Sequence, residues 1–230
     1  GTLIGELRTT TRDIDEGVAS ELLWSDTEIA GYLADGETEV AERTLCLEDT
    51  DTIAVCDLTL STSVATYTTH VSIIDVKAIT FSYDTDLILT KKANQRTEEW
   101  LDQNYVGWRT LTAGDPIYYI LRPYNKITFV PTFSSSYNLT TATMTVIKRP
   151  TTAISVANTT PEVSSKYYEA LKKWALYRMY DKKDSQTFDP KASTTNYNLF
   201  VGMVGERPSL NVERIVREEP IGISIGVRRR

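Results

Sequence analysis

The chain is poor in the residues that most metal and catalytic centres need. It carries one histidine, His70, and two cysteines, Cys46 and Cys56, in 230 residues. One histidine cannot supply a His-based metal cluster, and two cysteines ten residues apart do not fit the close-paired ligands of a zinc site. His70 sits in a Thr-rich, strand-like stretch, Tyr67–Val71, and reads as a structural residue. No P-loop or G-x-G-x-x-G pattern occurs, which removes the common phosphate-binding loops. Carboxylates are plentiful, so a glycosidase-like pair of acids stays open. No run of 18 apolar residues exists, and the first residues lack a basic segment followed by an apolar one. The expectation is a chain that neither spans a membrane nor uses the ordinary secretory signal, with reduced thiols in a cytoplasmic setting. The absences together favour structural work over catalysis.

What is present is an ordinary globular composition, 41% hydrophobic and 24% charged, long enough to bury a real core. Charge is unevenly spread. Residues 1–50 hold 13 acidic and 3 basic side chains, whereas residues 51–160 balance at 9 against 9. Residues 161–204 and 205–230 each carry a net charge of +2. An N-terminal block this acidic does not form a phosphate-binding surface, which needs an excess of Lys and Arg. Its acids read as a solvated helix face or as a surface that repels DNA or meets a basic partner.

Helical periodicity opens the chain. Leu3, Leu7 and Ile14 share one face of a helix predicted over 2–14. Trp24-Ser25-Asp26-Thr27-Glu28-Ile29 predicts a capping box between Ser25 and Glu28, with Trp24 and Ile29 as a hydrophobic staple, for a helix over 25–45. The middle alternates Thr with β-branched residues through Ile53–Leu60, Val71–Phe81, Leu87–Thr90 and Ala142–Lys148, which predicts strands. Tyr118–Leu121 and Lys126–Phe129 flank Arg122-Pro-Tyr-Asn125 as a hairpin. A short helix, Glu98–Asn104, follows the cap Thr97. Trp100, Tyr105, Trp108, Tyr118 and Tyr119 cluster around it, either as core or as a stacking or sugar-binding platform.

Thr160-Pro161 predicts the start of a helix over 162–182 whose buried stripe is Tyr167, Leu171, Trp174, Ala175 and Arg178. Asp189-Pro190 predicts another over 190–204, with Leu199, Phe200 and Met203 facing inward and Gly205 and Pro208 as the stop. Beyond Glu206 the chain cannot build a core of its own. Ile221, Ile223, Ile225 and Val227 alternate with small residues, and Arg228, Arg229 and Arg230 follow. That pattern predicts an extended arm that adds as a strand to a partner. The expected fold is α+β: a helical bundle from the N- and C-terminal helices, a β-rich insertion and an extended C-terminal arm. The expected divisions are 1–50 and 161–205 for the bundle, 51–160 for the insertion and 206–230 for the arm.

Residues 3–205 resemble the bacteriophage head-to-tail adaptor, or connector, proteins. The likeness rests on Leu22-Leu-Trp24-Ser-Asp-Thr-Glu28-Ile and its amphipathic helix, then Trp100-Leu-Asp102 and Trp108 leading to Gly114-Asp-Pro116-Ile-Tyr118-Tyr. Ile127-Thr-Phe-Val-Pro131 and Lys148-Arg-Pro150 continue it, and Tyr167-Tyr-Glu-Ala-Leu171, Trp174-Ala-Leu-Tyr177 and the Asp189-started helix complete it. The resemblance implies a virion protein at the head-to-tail junction, assembled in the host cytoplasm as a ring, usually of twelve copies. Its partners would be copies of itself, the portal protein above and tail proteins below. DNA would pass through the channel without sequence-specific binding, and no membrane, cofactor, metal or catalytic residue is implied. Glu37, Glu39 and Glu42 are the candidate acids for the channel or a basic portal surface. The arm residues Ile221, Ile223, Ile225, Val227 and Arg228–Arg230 are the candidate partner-binding set.

Two other readings compete. Ser25–Thr44 has a faint helix-turn-helix pattern, but it offers Glu37, Glu39 and Glu42 where base edges call for Arg, Lys, Asn or Gln. The alternative function is a β-rich carbohydrate-binding or hydrolytic tail module, with Trp100 and Trp108 in an exposed groove beside paired acids.

Overall fold

The computed structural model describes residues 2–13, 22–62, 64–81, 91–134, 141–184 and 186–207. In chain order these form α1 (Leu3–Thr11), α2 (Asp26–Thr44), β1 (Glu48–Asp49), α3 (Ile53–Cys56), β2 (Asp57–Thr59), β3 (Thr66–Thr68), β4 (Ile73–Phe81) and β5 (Lys91–Gln95). There follow α4 (Glu98–Asn104), β6 (Tyr118–Arg122), β7 (Lys126–Val130), β8 (Thr141–Lys148), α5 (Tyr168–Tyr180) and α6 (Pro190–Val204). Two compact units result, and the division runs through the middle of β4 and β8.

The first unit contains residues 1–56, 71–77 and 145–206. Local signals set its helix ends. Ser25 accepts the Glu28 N–H at 3.2 Å while Glu28 accepts the Ser25 N–H at 2.8 Å, so two otherwise orphaned donors satisfy each other. Asp189 accepts the N–H groups of Lys191 and Ala192, and Gly205 closes α6 at a positive φ of 84°, which glycine adopts without strain. Helices α1, α2, α5 and α6 share a core in which Leu7, Ile29, Leu33, Val40, Leu171, Ala175, Met179 and Phe200 are fully buried. The indole of Trp24 enters it and donates to the Met179 carbonyl at 3.2 Å. Strand β1 pairs antiparallel with the end of β8 in the same unit, Glu48 opposite Ile147.

The second unit contains residues 57–70 and 78–144 within the described range. Its centre is a set of edge-to-face rings, Tyr67, Phe81, Phe129 and Phe133, with centroids 5.1–6.2 Å apart. Strands β6 and β7 form the hairpin expected from the sequence, in the register Leu121–Ile127 and Arg122–Lys126. Strand β3 adds to the outer side of β7, and β5 runs parallel to β6.

The fold corrects the expected architecture. It is a mixed α+β chain dominated by an eight-stranded sheet in the order β1-β8-β4-β5-β6-β7-β3, with β2 also on β8, and not a helical bundle carrying a β-rich insertion. The reason lies in β1, β4 and β8, which place strands in the helical unit itself. Periodicity tells which face of a segment is buried but not what buries it. Smaller corrections have the same origin. Ile53–Cys56 is a helical turn, not strand, and strand begins at Asp57. Thr160-Pro161 opens no helix: α5 starts at Tyr168 after a 3-10 turn at Ser165–Tyr167. On α6 Phe200 is buried, but Leu199 is 45% and Met203 49% exposed. Ile14, Leu87–Thr90 and Pro208 lie outside the described residues.

Candidate functional site

The three acids singled out on α2 have different fates. Glu37 is fully buried, and one of its oxygens accepts the Val163 N–H at 3.0 Å while the other has no hydrogen-bond partner. Burial pushes its carboxyl above the ordinary value, against the Val163 N–H that holds it down. A side chain so placed faces the interior of the subunit, not a channel. Glu39 is bound by Arg43, one turn on, whose guanidinium also donates to the Gly205 carbonyl and lies 5.0 Å from the Phe200 ring centroid. Glu42 accepts from Arg149 Nε at 2.6 Å.

Two further polar clusters were not visible in the sequence, because their members are far apart in it. Lys148 sits between Asp49 at 3.2 Å and Glu162 at 3.1 Å, all three side chains largely buried. Against the cost of burial, the Thr52 and Asp51 donors and Lys148 hold the Asp49 carboxyl well below the usual carboxylate range. Glu162 is held low in the same way, by the Thr152 and Thr151 N–H groups and Lys148. In the second cluster Arg8 of α1 donates to Asp13, Asp26 and the Trp24 carbonyl at 2.6–2.9 Å, while Asp13 accepts the N–H of Leu23. This joins the end of α1 to the start of α2. Both clusters are built to hold backbone in place, since Asp13, Asp49 and Glu162 each accept main-chain donors as well as facing a paired cation.

The aromatic residues around α4 mostly pack together. Trp108 is 8% exposed and donates its indole N–H to Asp102 at 2.8 Å, and the Arg109 guanidinium covers its ring at 4.2 Å. Trp100 packs at a tilt against Tyr118 at 5.6 Å, and Arg96 lies 4.6 Å from the Trp100 ring centroid and 5.9 Å from that of Tyr118. Helix α2 is continuous over 19 residues, so Ser25–Thr44 is one helix and not a helix-turn-helix.

One surface feature lies in the β6–β7 turn, where the sequence showed a hairpin but not its consequence. Tyr124 and Asn125 both adopt left-handed backbone, φ 63° and 52°. Asn tolerates that region, whereas a ring-bearing residue there costs about 1–3 kcal/mol. The turn is held by Thr69, whose N–H and hydroxyl both donate to the Asn125 carbonyl, at 2.8 and 3.1 Å. The Tyr124 side chain is nevertheless 90% exposed. The left-handed backbone lets β6 and β7 pair across the turn, but among the described residues the ring itself makes no hydrogen bond or ring contact.

The remaining expected residues are placed simply. His70 is exposed, in the loop after β3. Cys56 is buried and Cys46 half-buried, and neither is in a disulfide. Among the described residues no group of three or more His, Cys, Asp or Glu could hold a metal ion, and no helix is long and apolar enough to cross a membrane. The arm set, Ile221, Ile223, Ile225, Val227, Arg228, Arg229 and Arg230, lies outside the described residues.

A family model described as SU10 adaptor protein matches residues 1–219, nearly the whole chain. The class is therefore a structural adaptor of bacteriophage, a component of the virion that works by contact with other phage proteins. The chain belongs to the SU10 adaptor protein family. No curated protein matches it.

Proposed function

We propose that the chain assembles into a closed ring that joins the capsid portal to the tail and extends the DNA channel. The work is mechanical. Each subunit offers shape and contact surface to its neighbours, to the portal and to tail proteins, and supplies no cofactor and no catalytic group. The observation that carries this reading is the family match over residues 1–219. Both polar clusters are consistent with it, because Arg8 and Lys148 pair with carboxylates that fix backbone within the subunit. The arm, residues 206–230, is the part expected to reach a neighbouring copy or the portal. DNA passes without sequence-specific contact, and assembly takes place in the host cytoplasm.

The test is the mass of the particle. A closed ring of about twelve copies of the 25.9 kDa chain would weigh roughly 310 kDa. Native mass spectrometry of the protein, alone and with purified portal, should show that species or a portal-bound form of it. A chain that stays monomeric in both conditions, at concentrations well above those in an infected cell, would overturn the ring.

A further inference from the structure

A ring closed by rotation needs two different patches on each copy, since every subunit meets its neighbours through unlike faces. The chain carries two exposed patches of complementary chemistry. The first is the β6–β7 hairpin tip. Tyr124 is 90% exposed on a turn pinned by Thr69, and two residues on stands exposed Lys126, which makes no ion pair among the described residues. The second is the outer side of α6. Leu199 and Met203, one turn apart, are 45% and 49% exposed along the flank of the face that buries Phe200, and exposed Glu206, followed by Arg207, comes just past the helix end. One patch thus carries the cation Lys126 and the other the anion Glu206, each beside exposed apolar side chains.

We propose that the Tyr124 tip of one copy seats on the Leu199–Met203 face of α6 in the next, with Lys126 opposite Glu206. This deepens the ring reading and rests on it. Tyrosine suits the role, because a rigid ring with a polar end gives a large contact at low entropic cost and is enriched where binding energy concentrates. The left-handed backbone supports it too. The turn itself needs only left-handed backbone, which Asn or Gly supplies at lower cost, so an exposed tyrosine there is explained if its contacts lie in another copy. Charge complementarity then fixes the register of the contact more than its strength.

Sedimentation velocity of the full-length chain tests the contact. Tyr124→Asn removes the ring and suits the left-handed turn, so the thermal midpoint should hold or rise by roughly 2–3 °C while self-association weakens roughly thirtyfold. Leu199→Ser should weaken association with the helix content unchanged. Lys126→Glu should weaken it about tenfold or more, and adding Glu206→Lys should restore it to within about threefold. Mixing Tyr124→Asn with Leu199→Ser chains should give dimers that grow no further, because each variant keeps one intact patch. Association unaffected by Tyr124→Asn and Leu199→Ser overturns the contact and leaves the ring standing. Failure of the charge exchange to rescue also overturns the pairing. Variants that self-associate normally but no longer attach to purified portal would assign the patches to the portal instead. A chain that never associates overturns the contact and the ring together.

Discussion

Helix α2 contains two glycines that ought to respond oppositely to the same substitution. At Gly31 an added Cβ would meet nothing within 4 Å, whereas at Gly36 it would lie 2.8 Å from Cδ1 of Trp174 and 3.1 Å from its Cβ and Cγ. Both are interior positions of one helix, so Ala at either gains about 1 kcal/mol of helix propensity. Gly31→Ala should keep that gain and raise the thermal midpoint by roughly 2–4 °C. Gly36→Ala must displace an indole that cannot move far. Trp174 is 8% exposed and wedged against Phe200 at 4.9 Å and Tyr177 at 5.3 Å between ring centroids. Carbon atoms rest at about 3.5–4.0 Å, and overpacking of this kind costs about 1–3 kcal/mol. The net for Gly36→Ala is a loss of up to about 2 kcal/mol, and the gap between the two variants is about 1–3 kcal/mol. Urea denaturation followed by tryptophan fluorescence reads both. If Gly36→Ala proves as stabilising as Gly31→Ala, α2 and α5 do not approach through Gly36, and this core packs in another way.

Three other substitutions test separate parts of the structure. The Glu37 carboxyl is raised by burial, so its ionisation opposes folding: stability is full below the ordinary glutamate value and is lost as pH rises through the raised one. Glu37→Gln should remove that dependence and match or exceed the parent by about 1 kcal/mol at neutral pH; urea midpoints that move in parallel from pH 5 to 8 would contradict this. Arg8→Lys should cost about 1–3 kcal/mol, because an ammonium cannot serve Asp13, Asp26 and the Trp24 carbonyl at once; an unchanged thermal midpoint would show that the cluster contributes nothing. Trp24→Ala should cost about 3–5 kcal/mol, since the indole is 2% exposed and its N–H is bonded to Met179, and a loss under about 1 kcal/mol would mean that it merely staples the helix start.

Features set by near neighbours along the chain are legible in the sequence itself. The Ser25–Glu28 capping box, the Thr97 cap, the Asp189-Pro190 start and the Gly205 stop each depend on residues within a turn of one another. The β6–β7 hairpin is legible for the same reason. What failed depends on partners far away. Helix α6 has two apolar stripes, one through Phe200 and Val204 and one through Leu199 and Met203, and the pattern alone does not say which meets α5. Ile53–Cys56 alternates like a strand but is a helical turn ahead of β2. In the sequence Glu37 looks no different from Glu39 and Glu42 until Val163, 126 residues later, supplies an N–H to it.

The charge asymmetry shows how far composition can mislead about surface. The acidic N-terminal block reads as a face turned toward DNA or a basic partner, yet much of it is spent inside the first unit. Glu6 meets Lys172, Glu28 meets Lys182 and Asp35 meets Arg178, all on or just past α5. Glu48 is paired with Lys77, and Glu42 with Arg149. The excess of acid at one end of the chain and of base near the other are thus two sides of the same contacts. Pairs this exposed add little stability each, but they set which helix faces meet. Charge that is matched within a subunit is poorly suited to choosing partners outside it. That choice falls to groups the fold leaves unmatched, and among these Tyr124, Lys126, Leu199, Met203 and Glu206 combine exposure with complementary chemistry.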